Sequence, residues 1–596
     1  MGVFGRSGAR GGRVRGPARW LALAALAGSA AVACGGGGGD CSGTVRLRMA
    51  SSQDKVGLLQ RAADAFAEDR EIGGRCVEVD VDAKNSGTAM LALARGWDER
   101  TDGKRPDIWS PAANVWAAML RLRLAGSDRP APIADGEFPA IMTSPLTIAM
   151  PRPMAEALGW PSKAIGWADL ARLATSPDGW KAHGHPEWGE FRLGKTNPNL
   201  STSGLHATVG AYYAATGTTS DLTEADITDA KNRAFVSDIE KAIVHYGHTS
   251  LTFLSNLLRA DDRGQALSYI SAVTVEEDSV WNYNQGNPGL DPATRGKRPK
   301  PKVPLAAIYP KDGTIYSDHP FVPLNWMDAE KKRVADEFLK FLRSERIQRD
   351  FQNNGYRDHQ RRPGPHVTHQ NGLLPHEPRN ELSLPSDAVL DRTLQTWAEL
   401  RKPANVLLVV DRSGSMTEGV PGTGKTKGDL AKEAAAEALA EFRSQDNVGL
   451  WMFSARLRGE QDWQELVPVG PMDDERRRTL RERLLGLTLA GGTGLYNTTA
   501  AAYDRMNAAR EEGSINAVVV LTDGKNERPG GLDLEGLLAR LGAPQDERVR
   551  VFTIGYGRDA DQRVLRRIAE ATDGAAYDSS DPNTIRDVFT EVISNF

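Results

Sequence analysis

The apolar runs in the last third of the chain restrict its fold most: VLLVV (406–410), NVGLWMFS (447–454), AVVVLTD (517–523) and VRVFTIGYG (549–557). Strands apolar at nearly every position have no face to give to water, so they belong in a parallel sheet covered by helices on both sides. LAKEAAAEALAEFR (430–443) and LYNTTAAAYDRMNAA (495–509) supply such helices. An α/β unit is therefore predicted over residues 405–596.

The chain has 596 residues, too many for one core. From 45 to 362 short β-branched runs alternate with helical patterns, so a second α/β unit is expected there. VRLRMASS, VEVDVDA, PDIWSP, SPLTIAMP, ALSYISAV and VPLAAIYP read as strands. Residues 363–404 hold a Pro-, His- and Asn-rich stretch, read as a linker or a wrapping segment, and then a helix. With 74 basic and 78 acidic side chains the net charge is −4, and no nucleic-acid groove is indicated.

The first 33 residues have the layout of an export signal. Arg6, Arg10, Arg13, Arg15 and Arg19 precede the apolar WLALAALAGSAAVA, and Cys34 follows. The ending Ala31-Val32-Ala33-Cys34 resembles the lipobox of bacterial lipoproteins, although Leu usually stands where Ala31 does. The resemblance implies acylation of Cys34 and a lipid anchor on the outer face of the cell membrane. An ordinary secretory signal or an uncleaved anchor is the other reading, and each version exports the protein. Residues 34–44 form a Gly-rich linker. Cys41 and Cys76 then remain as an even pair, each near the start of a strand, and a disulfide between them is expected.

The stretch from Asp411 to Asp429 offers two chemistries. Gly419 to Thr426 spells G-x-x-x-x-G-K-T, a phosphate-holding pattern that would make the chain an ATPase. Such a loop needs its strand to end at the first glycine, whereas VLLVV ends at Asp411, and Gly419 lies several residues beyond. The competing pattern is a set of oxygen ligands at strand ends: Asp411, Ser413 and Ser415 from one loop, Thr493 from GGTGLYN, and Asp523 after AVVVLT. Carboxylates and hydroxyls without sulfur or imidazole suit Mg²⁺ or Mn²⁺.

DRSGSM, GGTGLYN and VVVLTDG, in this order at three strand ends, resemble the metal-ion-dependent adhesion site of the von Willebrand factor A family. The resemblance covers residues 405–596. It implies a Rossmann-like sheet, direct metal binding by Ser413 and Ser415, binding by Thr493, Asp411 and Asp523 directly or through water, and an open position for a partner's Asp or Glu. No nucleophile or base accompanies these residues, so binding without catalysis is expected.

In the first unit, strand ends run into hydroxylated residues: Ser51 and Ser52, Ser86 and Thr88, Ser110, Ser144, Ser201 and Ser203. Hydroxyls beside helix N-termini favour an oxyanion or carboxylate, and each residue also reads as a helix cap. NSGTAM, PDIWSP, SPLTIAM, GKTNPNLSTSG and the closing DEFLKFLRSERIQRDFQNNGYR resemble extracellular solute-binding proteins of the type II periplasmic class. That resemblance implies two α/β lobes over 45–362, crossovers near 144–150 and 303–310, and a cleft lined by the residues just named with Glu276. Trp109, Trp281, Tyr283 and Trp326 could stack on a sugar instead. A lipid-anchored binding protein follows, with a substrate receptor of an ABC importer for a small anionic or polar solute as the alternative.

Overall fold

The computed structural model describes residues 41–68, 71–290, 295–542 and 549–596; the leader and Cys34 lie outside the described residues. The first lobe is built from β1 (Thr44–Ser51), α1 (Val56–Ala67), β2 (Arg75–Ala83), α2 (Ser86–Arg95) and β3 (Ile108–Ser110). β1 is central and parallel to both β2 and β3, in register from Thr44↔Cys76 to Ser51↔Ala83. That register brings Cys41 and Cys76 to a Cα separation of 5.4 Å, with their sulfurs bonded.

The second lobe contains β4 (Ser144–Pro151), β5 (Leu193–Thr196), α3 (Thr202–Thr216), β6 (Ile243–Gly247), β7 (Ala272–Glu276), α4 (Glu277–Asn284) and β8 (Leu305–Ile308). Its sheet runs β4-β7-β5-β6, with β8 also on β4. Two expectations are corrected here. ALSYISAV is not one strand: Ala266–Tyr269 is a helical turn that buries Ala266 and Tyr269, and β7 starts after it. The return crossover is not at 303–310, because Leu305–Ile308 pairs with β4 inside the second lobe. The chain returns over 316–323 instead, where Tyr316–Ser317 pairs with β4 and Val322–Pro323 with β3.

Helix α5 (Ala329–Leu342) closes the first lobe, burying Val334, Ala335, Phe338 and Leu342, with Phe338 5.0 Å from the Phe66 ring. The Pro- and His-rich stretch then wraps the second lobe. His366 stacks on Trp281 at 4.7 Å and His369 on Trp160 at 4.9 Å, while Val367 and Leu373 are buried. Helix α6 (Asp387–Leu400) leads into the third sheet.

That sheet comprises β9 (Ala404–Asp411), β10 (Asn447–Arg458), β11 (Gln461–Val467), β12 (Ile515–Thr522), β13 (Arg550–Tyr556) and β14 (Ala576–Ser579), with α7 (Lys427–Ala438), α8 (Leu495–Ala508) and α9 (Ile585–Ile593) among its helices. The order is β11-β10-β9-β12-β13-β14, parallel except for β11. Every residue of β9 and β12 is buried, as two-sided coverage requires. The two strands beyond the four expected ones are edges: β11 is half exposed, and β14 has only four residues.

The C-terminal domain packs on both lobes. Asp587 on α9 pairs with Lys84 at 3.1 Å and Arg95 at 3.4 Å in the first lobe. On the second lobe, the Tyr246 amide donates to the Asn595 carbonyl at 3.0 Å, and Arg263 pairs with Asp573 at 3.2 Å. Phe596 packs its ring edge-on to Phe552, which meets His245 of β6. Asp587→Lys sets like charges against Lys84 and Arg95. The expected cost is about 1 kcal/mol, seen as melting of the C-terminal domain about 2–4 °C lower. Hydrogen exchange of residues 84–95 should also quicken; unchanged exchange there would contradict this role for the contact.

Candidate metal centre and interlobe cavity

Three loops meet at one rim of the third sheet. Parallel pairing of β9 with β12, Val410 opposite Leu521, carries the chain into Asp411 on one strand and Thr522–Asp523 on its neighbour. After Asp411 the chain tightens into a turn of 3₁₀ helix (Gly414–Thr417), and the Ser413 amide donates back to Asp411 Oδ1 at 2.7 Å. The second oxygen, Oδ2, accepts from the Thr522 hydroxyl at 2.6 Å. The Ser413 and Ser415 hydroxyls are 3.0 Å apart, and Ser415 donates to Asp523 Oδ1 at 2.7 Å.

The third loop is fixed by backbone contacts. The Gly414 amide donates to the Gly491 carbonyl at 2.8 Å, and Ala490 to Arg412 at 2.7 Å. Gly491 sits at φ +95°, which only glycine adopts without strain. A Cβ on Gly524 would lie 2.8 Å from Thr493 Oγ1, so the Thr493 hydroxyl rests against the chain directly after Asp523. The structure thus gathers Asp411, Ser413, Ser415, Thr493 and Asp523 around one point.

Burial dominates the electrostatics there. Burial pushes Asp411 up to about 7, against its hydrogen bonds from Thr522 and Ser413. It also raises Asp523, opposed by Ser415 and Lys427. Lys427, nearly buried, places its ammonium 3.3 Å from Asp523 Oδ2 and bonds Glu418 as well. Sequence reasoning missed this lysine, whose only signal was its place at the start of the helix after the loop. Two buried carboxylates and three hydroxyls, all oxygen donors, fit a hard divalent ion.

The phosphate-loop reading is overturned. Gly419–Val420 and Lys425–Thr426 form a small antiparallel hairpin, so the glycine-rich stretch is a surface turn. Lys425 pairs with Glu433 at 2.7 Å on the exposed side, and Thr426 caps α7 by accepting from the Asp429 amide.

Between the two lobes lies a cavity of about 50 Å³. Five of the nine predicted cleft residues line it: Ser52, Ser86, Ser201, Ser203 and Glu276. The remaining four stand outside the lining and are buried: Ser51, Thr88, Ser110 and Ser144, the last donating to Asp278 Oδ1 at 2.7 Å. None of Trp109, Trp281, Tyr283 and Trp326 lines it; the first three are core residues, and Trp326 stacks on Arg105. Asp54 and Asn85 line the cavity unforeseen, and Lys55 is buried beneath it. The signal for Asp54 and Lys55, SSQDK at the end of β1, was hidden by the two serines.

The lobes touch across this cavity. The Gly87 amide of α2 donates to the Leu200 carbonyl at 3.1 Å, Asn85 Nδ2 to the His248 carbonyl at 3.0 Å, and Trp116 Nε1 to Thr202 Oγ1 at 2.8 Å. A Cβ at Gly87 would lie 2.5 Å from Leu200 Cα, so glycine there is a condition of closure.

Comparison with known proteins was made by sequence and by fold. Residues 47–357 match the family profile for bacterial extracellular solute-binding proteins, and 405–591 that for the von Willebrand factor type A domain. An uncharacterised protein of Mycobacterium tuberculosis is 23% identical over 572 residues, spanning 92% of this chain and 78% of its own. Among solved structures, a von Willebrand factor type A protein from Catenulispora acidiphila is 24% identical with a TM-score of 0.28, covering 33% of this chain and 43% of that one. A periplasmic thiamin-binding protein is 13% identical with a TM-score of 0.38, covering 60% and 96%.

Asp411→Asn should lower Mn²⁺ affinity by at least about 100-fold while leaving the circular dichroism spectrum and the ion-free melting point near those of the parent. Undiminished Mn²⁺ binding in an electron paramagnetic resonance titration would remove Asp411 from the ligand set.

Proposed function

The chain belongs to the bacterial extracellular solute-binding family and ends in a von Willebrand factor A domain, and from that premise we propose an exported binding protein with two binding sites. The C-terminal domain captures a protein carboxylate through a divalent ion, Mg²⁺ or Mn²⁺, and the two lobes hold a small solute. Acylated Cys34 would keep both sites at the outer face of the cell membrane. The observation that carries the reading is the convergence of three loops on an oxygen-only cluster with just two carboxylates. When bound, a divalent ion supplies an electrophilic coordination position that a partner's Asp or Glu fills.

The chain's own residues set up that step. Asp411 is immobilised by Thr522 and the Ser413 amide, so its carboxylate needs no reordering when an ion arrives. The Ser413 and Ser415 hydroxyls contribute neutral oxygens, which leaves more of the ion's charge for the partner. Lys427 bears on Asp523 in the absence of other positive charge, and so lowers the cost of the empty state. No bond is made or broken.

A second reading, the substrate receptor of an ABC importer, draws on the interlobe cavity. The two are separable by chelation. EDTA should abolish capture of a protein partner from the producing cells, Mg²⁺ should restore it, and solute retention should be unaffected. Saturating Mg²⁺ at 100 times its dissociation constant should stabilise the C-terminal domain by about 2.7 kcal/mol. Partner capture that persists in EDTA would refute the metal-dependent reading.

A further inference from the structure

Resting on the solute-binding reading above, we propose that the interlobe cavity accepts a small molecule bearing an ammonium group, and not the oxyanion that a serine-rich cleft suggests. The cavity lining contains two carboxylates, Asp54 from the first lobe and Glu276 from the second, and no lysine, arginine or histidine among the described residues. The remaining polar lining is hydroxyl and amide, Ser86, Ser201, Thr249 and Asn85 among it. Such a wall offers acceptors to a cation and repels an anion drawn out of water.

Several groups that would hold an oxyanion are already engaged. Lys55 is fully buried, and its ammonium donates to Ser52 Oγ, to the Ser110 carbonyl at 3.0 Å and to the Pro111 carbonyl at 3.2 Å. An ammonium has three donors, so none remains for the cavity. The amide at the start of α2 is taken by the Leu200 carbonyl and by Asn85 Oδ1. At α3 the Ser201 and Ser203 hydroxyls bond each other at 3.3 Å, and Ser203 meets Thr196 at 3.0 Å.

Acids outnumber bases around the cleft. Asp54, Glu276, Asp278 and Asp318 surround the single lysine, and His319 is held neutral by burial. Burial, reinforced by Asp54, pushes Glu276 up to about 7, and burial together with Glu276 and Asp54 raises Asp278 well above the usual carboxylate range. Asp278 Oδ2 is buried and has no hydrogen-bond partner. An ammonium entering between Asp54 and Glu276 neutralises carboxyls that otherwise cannot all ionise together.

The test is isothermal titration and thermal shift of the full chain with methylammonium, ethanolamine and putrescine on one side, and sulfate, phosphate and molybdate on the other. Glu276→Gln and Asp54→Asn are run in parallel, with circular dichroism to confirm that both fold. The expected result is binding of an ammonium probe that weakens at least about 10-fold in each variant, with no oxyanion response. An oxyanion that binds the parent protein, and binds Glu276→Gln as well or better, overturns the inference while the solute-binding reading stands. Silence from every probe, together with no small molecule carried by protein isolated from its own cells in native mass spectrometry, overturns both.

Discussion

Parallel pairing of β9 with β12 is the constraint from which the distal site follows. Two neighbouring strands end level with each other, one in Asp411 and the other in Thr522 with Asp523 directly after it, so the fold forces two carboxylates together where neither meets much water. Left alone they would repel, and their burial would cost several kcal/mol each. The serine hydroxyls, the Thr522 hydroxyl and the Lys427 ammonium are the groups the chain sets against that cost. Gly491, with Ser454 against it, and Gly524, with the Thr493 hydroxyl against it, let the loops come close enough for it to work.

The interlobe cavity solves a related problem differently. There too a lysine stands among acids, but Lys55 is spent on carbonyls and one hydroxyl beneath the floor, whereas Lys427 points at the carboxylate itself. One site therefore has a cation facing its acids directly, and the other presents acids with no such cation at the lining. The backbone of Leu200, packed against Gly87, holds the two lobes together beside those acids.

Much of this was legible in the sequence because it is local. Runs such as VLLVV and AVVVLTD announce buried strands by composition alone, and two of the three ligand loops follow directly from those strand ends; Thr493 instead lies just before α8, behind the helix Asp474–Leu485, and not at the strand end its motif suggested. The short strands Leu193–Thr196 and Ile243–Gly247 went unread, since four or five residues carry little periodicity. So did the true return crossover, because Leu305–Ile308 and Tyr316–Ser317 differ in partners and hardly in composition. The cavity lining depends on contacts more than a hundred residues apart, such as Gly87 with Leu200. Asp54 and Lys55, which complete the charge of the cleft, went unnoticed beside its serines.

The seating of the C-terminal domain makes the two lobes and the distal site one mechanical object. Among the described residues, its ion pairs to the first lobe are both made by Asp587, while Asn595, Asp573 and Phe552 grip the second. Residues 84 to 86 carry that load straight to the cavity wall, for Lys84 takes the ion pair and Asn85 and Ser86 face the space. A hinge that swings open must strain this hasp, so the resting geometry of the clam shell is set partly by a domain that never touches its contents.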